Sequence, residues 1–441
     1  MKKFLVKTAL ISFCFADLTN AKEVPIEQVL GQIIQNSNAK KSAQYSLKAA
    51  EEQANQSEKH WLPNLYVDTT TYQTNDPAKN FMGNLYQKSV TSSDFNTTSI
   101  NSNNSNRFSR SAIGVNLPLY QGGVGIASSD MAKNIAISYK YNLKQTEVEQ
   151  YSYATAVYLS LVSLKQQKDK LQKIANNIDD IIKKYSLGNE NNPVGYSGSL
   201  ILQASQNKTQ VFLTDNEEKT TALYQILKEL GFTNDNTWSV TQLPLDNYIK
   251  KYLRFDKSET SSFKTSAIKA KIDAAKNEEK ISNAKNLPQI NAYAENYQFH
   301  GSRATQSGYT TGINLHWEFY DPLSFDNKSI AQDKTSSARY ELLAHQQNER
   351  NEIAYLDSQI KTLETAVKLA TRNDALMFKN VKVSKDLFRS GAITASNLSD
   401  AIMKYLDNFV YLSNAELQLI ELYSKKLTKQ QVDISEIISG K

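Results

Sequence analysis

The chain has 441 residues, a formal net charge of +6, and only 15 Gly and 8 Pro. A chain of this length would ordinarily form two or three compact domains, but its scarce Gly and Pro and its Asn-, Gln-, Ser- and Lys-rich segments point to an elongated helical body. Removing the first 21 residues leaves a charge of about +4, scattered along the chain with no basic patch or binding motif, which argues against a nucleic-acid partner.

Residues 1–21 read as a secretory signal peptide. Lys2, Lys3 and Lys7 form a charged start, 8–16 an apolar stretch, and Thr19, Asn20 and Ala21 a small-residue cleavage site. A membrane anchor would need about 20 apolar residues, roughly twice what this stretch offers. The single cysteine, Cys14, lies inside it, and Phe13 makes a poor lipoprotein cleavage site. The exported chain is therefore expected to carry no thiol, disulfide or lipid.

The rest of the chain states one plan twice. Residues 22–235 read as a first repeat of helix, strand, loop, strand, long helix and helix; 236–262 as a linker; 263–430 as a second repeat; and 431–441 as a polar C-terminal tail. Ala49 and Ala50 answer to Ala274 and Ala275, Leu62 and Pro63 to Leu287 and Pro288, and Tyr72 to Tyr297, all at an offset of about 225 residues. Gly114, Val115, Asn116 and Leu117 then reappear as Gly312, Ile313, Asn314 and Leu315.

Strands are expected where apolar and polar residues alternate. Leu65 and Val67 alternate with Tyr66 and Asp68, and Ile113, Val115, Leu117 and Leu119 with Gly114 and Asn116. Tyr309, Thr311, Ile313, Leu315, Trp317 and Phe319 share one face while Thr310, Gly312, Asn314, His316 and Glu318 share the other. Strands of about ten residues with one oily and one wet face fit a transmembrane barrel wall, though a sandwich would produce the same alternation. Four strands cannot close a membrane barrel, which needs about eight, so a barrel would have to be shared between subunits. Trp61 and Trp317 fall where helix meets strand, the level of an aromatic belt at the membrane interface. The Ser- and Asn-rich stretch 91–106 reads either as an exposed outer-surface loop or as disordered chain.

Runs 126–187 and 324–390 contain no Gly or Pro, and at 1.5 Å per residue each would make a helix of about 90 to 100 Å. In the first, Ala154, Val157, Leu161, Leu164, Lys168, Leu171, Ala175, Ile178 and Ile182 recur at steps of three and four, a coiled-coil seam. Shorter helices are expected over 200–230 and from 397 to about 427, after turns containing Gly188 and Gly391.

These residues carry a resemblance to the TolC family of outer-membrane channel proteins, covering about 26–430. It rests on the repeated element order and the Leu-Pro openings at Leu62 and Leu287. The phrase Pro118-Leu119-Tyr120-Gln121-Gly122-Gly123 and the hairpin phrases Tyr185-Ser-Leu-Gly188 and Phe388-Arg-Ser-Gly391 add to it. The resemblance implies a mainly α, internally duplicated chain with a long coiled-coil tunnel, and four strands given to a 12-stranded barrel of a homotrimer. It also implies a passive exit duct in the outer membrane and periplasm, serving tripartite drug efflux or type I secretion. The partners implied are outer-membrane lipid, a periplasmic adaptor and an inner-membrane pump of RND or ABC type, with no cofactor. The competing reading is a periplasmic coiled-coil adaptor or surface stalk.

The resemblance also assigns site residues. It puts Asn397 and Asp400 at the periplasmic constriction, where Asn397 replaces an acidic position, so three chains would present one carboxylate ring that attracts cations. A solvated helix aspartate is the plainer reading of Asp400. Phe388 and Ile393 stand where the family's best-studied latch has tyrosine and arginine, and neither can make that latch's polar bonds. The tips bearing Tyr185, Gly188, Phe388 and Gly391 would receive the adaptor, unless those glycines only end helices. An enzyme is not expected: His60, His300, His316 and His345 are dispersed, with no metal spacing, nucleophile elbow or phosphate loop.

Overall fold

The computed structural model describes residues 22–185, 192–234, 237–242, 244–254, 261–434 and 437, so the expected signal at 1–21 and Gly188 lie outside the described residues. The chain runs β1 (Lys22–Val24), α1 (Ile26–Asn36), α2 (Asn38–Ser57), β2 (Asn64–Thr74), α3 (Pro77–Tyr86), a 3-10 turn (Ser92–Phe95), α4 (Thr97–Ile100) and β3 (Asn106–Gln121). There follow α5 (Val124–Lys184), α6 (Pro193–Glu229), β4 (Trp238–Val240), α7 (Leu245–Tyr252) and α8 (Phe263–Ala284). The last elements are β5 (Gln289–His300), β6 (Thr305–His316), α9 (Pro322–Arg389) and α10 (Ala395–Leu427). The two long runs without helix breakers are thus the two long helices, α5 and α9.

Two compact units emerge, each built from both halves of the sequence: Met1–Gln44, Asn142–Lys264 and His345–Lys441 in one, Tyr45–Tyr141 and Thr265–Ala344 in the other. The first is helical. Helix α1 buries Ile26, Val29, Leu30 and Ile33, a one-sided apolar stripe. Strands β1 and β4 pair in parallel, and the Tyr158 hydroxyl of α5 ties them together, donating to the Val24 carbonyl (2.8 Å) and accepting from the Thr241 amide (3.0 Å). The expected linker 236–262 therefore contributes a strand and helix α7 to this unit, and Val432 and Ile434 of the expected polar tail are buried. Along the predicted seam of α5, Ala154, Leu161, Leu164, Leu171 and Ile178 are buried. Lys168 departs from it, half-exposed and ion-paired to Glu217 of α6 at 3.0 Å.

The second unit carries a four-stranded antiparallel sheet in the order β2-β3-β5-β6, with Tyr66 opposite Gly114, Gly114 opposite Glu295 and Tyr293 opposite Gly312. β2 and β6 are its edges. The strand ends at His316, so Trp317 and Phe319, expected to continue its oily face, lie beyond it.

This register sorts side chains onto two faces. One presents Leu65, Val67, Ile113, Tyr309, Ile313 and Leu315, all exposed, with Leu65 at 80% and Ile313 at 72%. Toward the loop end it turns to hydroxyls paired across strands, Thr69 with Ser111 (3.2 Å) and Thr71 with Ser109 (3.0 Å). The other face carries Arg110 in contact with Glu295, 3.9 Å from Asp68, and 5.0 Å over the Tyr297 ring. Rings on this face lie across glycines of the neighbouring strand: a Cβ on Gly114 would stand 2.4 Å from the Tyr66 ring, and one on Gly308 would stand 2.5 Å from the Tyr297 hydroxyl. Flat-lying aromatics over strand glycines restore the packing those glycines lack and pin the register.

The stretch 91–106, expected as an exposed outer-surface loop or as disordered chain, is exposed at most positions but not without regular structure. It contains the 3-10 turn and α4, and Asp94 within it is buried. Helix α3 precedes it, started by Pro77 in its first turn and by the Asp76 side chain, which accepts from the Ala78 amide at 2.9 Å.

Candidate functional site

The residues singled out at the helical tips come together. Tyr185 follows the end of α5, Phe388 sits in the last turn of α9, and their rings pack against each other, tilted, at 5.4 Å between centroids. Both, with Ile393, pack against a buried cluster that includes Ile178, Leu202, Leu398 and Ile402. A cleft of about 830 Å³ opens beside them, lined also by Asp180, Lys184, Gly198 and Arg389. Phe388 and Ile393 hold this end by apolar packing, the only contact their side chains can offer.

Gly391 ends α9. Its amide donates to the Phe388 carbonyl (3.0 Å) and the Ala392 amide to the Leu387 carbonyl (2.9 Å), the paired bonds of a Schellman motif, with Gly391 at φ +75°. A Cβ there would meet open space, so its backbone conformation, not a close approach, is what calls for glycine. The close approach occurs at Gly198 of α6, where a Cβ would stand 2.7 Å from the Ala395 Cβ and 2.9 Å from the Tyr185 hydroxyl. Sequence reasoning missed Gly198. It lies inside a helix, where a glycine has no terminal role, and that was the available signal.

Helix α10 starts at Thr394, whose hydroxyl accepts from the Asn397 amide at 3.3 Å. Asn397 and Asp400 are both exposed on its solvent-facing stripe, which continues through Lys404 and Asp407. Asp407 is ion-paired to Lys208 of α6 at 2.7 Å, whereas Asp400 makes no ion pair among the described residues. The opposite face of α10 is held to α6 by a buried Ser205–Ser399 hydroxyl bond of 2.7 Å. The seam thus turns Asn397 and Asp400 away from the protein.

Farther along these helices lies a partly buried polar group. Lys170 of α5 is 3.5 Å from Asp374 of α9, and Ser163 donates to Glu416 of α10 at 3.4 Å. Burial pushes the Glu416 carboxyl up, opposed by Lys170 and by the Ser163 bond. Burial, with Asp374 nearby, pushes the Tyr405 hydroxyl up to about 12.

In the other unit, Trp61 lies in the turn before β2 and Trp317 directly after β6, exposed at 62% and 55%. The Trp317 indole donates to the Asn286 carbonyl at 3.1 Å. His316 is exposed on the polar face at the end of β6. No helix of the described residues is long and apolar enough to cross a membrane, and no His, Cys, Asp or Glu cluster among them could hold a metal.

No family model matches the sequence, and no curated protein matches it. Solved structures do. The Campylobacter jejuni CmeC outer membrane channel aligns over 98% of this chain and 99% of its own, at 12% identity and a TM-score of 0.71. The chain has the fold of the outer-membrane channels. A membrane protein from Pseudomonas aeruginosa aligns over 92% of this chain and 91% of its own, with a TM-score of 0.77 at 12% identity. The Vibrio cholerae outer membrane protein VceC covers 91% and 96% respectively, with a TM-score of 0.72 at 11% identity. The fold that the hairpin and Leu-Pro phrases led the sequence to resemble is therefore the fold observed.

Proposed function

We propose that this chain is the subunit of an outer-membrane exit duct, a passive channel with no chemistry of its own. The observation that carries this reading is the sheet. Leu65, Val67, Ile113, Ile313 and Leu315 stand on one exposed face, Arg110, Glu295, Tyr66 and Tyr297 on the other, and the outer edges of β2 and β6 pair with no further strand among the described residues. Open edges in a sheet with an oily outer face would be an aggregation hazard in water. In a bilayer, where every backbone group must be bonded, β6 of one copy meeting β2 of the next satisfies both edges, and three copies close twelve strands. The repeated order of strands and helices in the two halves supports an internally duplicated origin and a helical tunnel leading to the barrel.

Small-molecule or drug efflux in a tripartite assembly is the proposed role, with protein export by type I secretion as the alternative, and the solved structures of like fold support the channel alone. The partners would be a periplasmic adaptor and an inner-membrane pump of RND or ABC type. Tyr185, Phe388 and the cleft beside them would form the surface offered to the adaptor, with Gly391 shaping the tip; Gly188, assigned to the same role by the resemblance, lies outside the described residues. Asn397 and Asp400, exposed on α10, would line the constriction, and Trp61 and Trp317 would mark the periplasmic membrane interface.

Fractionation tests the reading directly. The expected result is a heat-dissociable trimer in the outer-membrane fraction. A monomer in the soluble periplasmic fraction would overturn it in favour of an adaptor or stalk. Given the trimer, crosslinking in living cells followed by mass spectrometry identifies the pump. In planar bilayers Asp400→Ala is expected to abolish cation preference, and unchanged selectivity would remove Asp400 from the constriction.

A further inference from the structure

The segment between β2 and β3 folds onto the sheet, and onto one face only. Phe108 of β3 and Phe299 of β5, both on the polar face near its loop end, are 1% and 3% exposed. Helix α3 covers them: the Tyr86 ring lies 5.1 Å from that of Phe299, and a Cβ on Gly83 would stand 2.4 Å from the Phe108 ring. Gly83 is the residue that lets the helix descend this close. On the opposite, oily face the residues beside Phe108, Arg107 and Ser109, are not buried.

This segment is fastened to the β5–β6 connection by a set of polar bonds. The buried Gln87 side chain accepts from the amides of Arg303 and Ala304 at 2.9 and 2.8 Å. Arg303 grips Asp94 with both ends of its guanidinium (2.8 and 2.6 Å) and donates to the Ser89 carbonyl at 3.2 Å. Lys88 holds a left-handed backbone at φ +50° while its ammonium reaches the Ser307 carbonyl at 3.1 Å. A bidentate arginine–carboxylate pair is the strongest ordinary polar tie between two loops. Asp94 is correspondingly held well below the usual carboxylate range, first by its Arg303 bonds.

Resting on the channel reading above, in which the polar face lines the bore, we propose that residues 77–104 form a cap folded into the outer mouth, pinned shut by the Asp94–Arg303 pair and Gln87. The scale makes this consequential. Twelve strands spaced about 4.8 Å and tilted about 40° close into a cylinder roughly 24 Å across, whereas a helix with its side chains is about 10 Å wide. Three such helices on the inner wall occupy most of that bore. The duct therefore carries an outer constriction, distinct from the helical tips, that must move or yield for bulky cargo to leave.

External labelling of intact cells with a bulky, membrane-impermeant maleimide tests the cap, because Cys14, the only cysteine, lies in the leader expected to be removed. Thr97→Cys reports the exposed surface of the segment, and Thr310→Cys, opposite Glu295 on the polar face, reports the bore beneath it. The expected result is fast labelling at Thr97→Cys and slow labelling at Thr310→Cys. Asp94→Ala should accelerate Thr310→Cys at least about tenfold by raising the open population. The charge-swapped pair Asp94→Arg with Arg303→Asp should restore protection. Equally fast labelling of Thr310→Cys with Asp94 intact would overturn the cap while leaving the channel reading in place. Absence of labelling at Thr97→Cys would overturn the channel reading itself, and the cap with it.

Discussion

The helical unit and the sheet unit treat the same kinds of residue in opposite ways. In the helical unit, Leu202, Leu398 and Leu406 are buried among other side chains, and the exposed stripe of α10 carries Asn397, Asp400, Lys404 and Asp407. In the sheet, Leu65, Val67 and Ile313 stand exposed while Phe108 and Ala112 are buried and the Arg110–Glu295 pair is partly buried. On the proposed channel reading, one chain is written for two solvents. The helices follow the rule for water, with apolar side chains packed inward, and the strands, with apolar side chains outward, would follow the rule for a bilayer.

Substitutions on the two sides should break or sharpen this contrast. Leu406→Ala, in the helical core, should cost about 2–5 kcal/mol in thermal or denaturant unfolding, because it leaves a cavity. Leu65→Ala in the sheet should cost far less, since no protein packs against that side chain. Next in size, Ile313→Arg should cost about 2–4 kcal/mol if its face meets lipid, read as loss of trimer from the outer membrane. Asn314→Arg, one residue along and on the polar face, should assemble normally, and equal tolerance of both would mean that the oily face does not meet lipid. Gly114→Ala should cost about 1–3 kcal/mol through the clash with Tyr66, and Tyr66→Ala added to it should recover part of that loss.

The smallest effect concerns pH. Burial raises the Glu416 carboxyl above its ordinary 4.5, so the folded helical unit prefers it protonated. The resulting penalty is fully present above the raised value and vanishes below the ordinary one of the unfolded chain. Glu416→Gln should therefore raise the unfolding midpoint of the trimer at pH 7 and lose that advantage at about pH 4. A variant no more stable than the parent at pH 7 would mean that Lys170 and Ser163 fully offset the burial.

Much of the helical architecture was legible because its signals are local. Gly- and Pro-free runs set the lengths of α5 and α9, steps of three and four set the buried seam, and Gly391 marked the end of α9. The strands were legible through alternation, and Leu65, Val67, Ile113, Val115, Leu117, Ile313 and Leu315 fall on the oily face as it placed them. A bulge between Pro118 and Tyr120, however, takes Leu119 out of that alternation, and Trp317 and Phe319 lie past the end of β6. At the tips, Tyr185, Phe388 and Ile393 were found, whereas Gly198 was not, because its importance depends on Ala395 of a helix nearly two hundred residues away. Asp76 followed by Pro77 was a legible helix start, yet α3 went unread because the Ser- and Asn-rich composition that follows it suggests open chain.

By itself the sequence determined the long helices, the four strands of the sheet, their order and most of the oily strand positions. These depend on backbone propensity and periodicity within a few turns or residues. Only the tertiary structure decided that Tyr66 lies over Gly114, that Arg303 grips Asp94 across 209 residues, and that the segment after β2 folds onto the polar face. Each of those contacts depends on strand register and on chain closure between distant segments. No local pattern encodes them, because their free energy exists only once the sheet has brought both partners together.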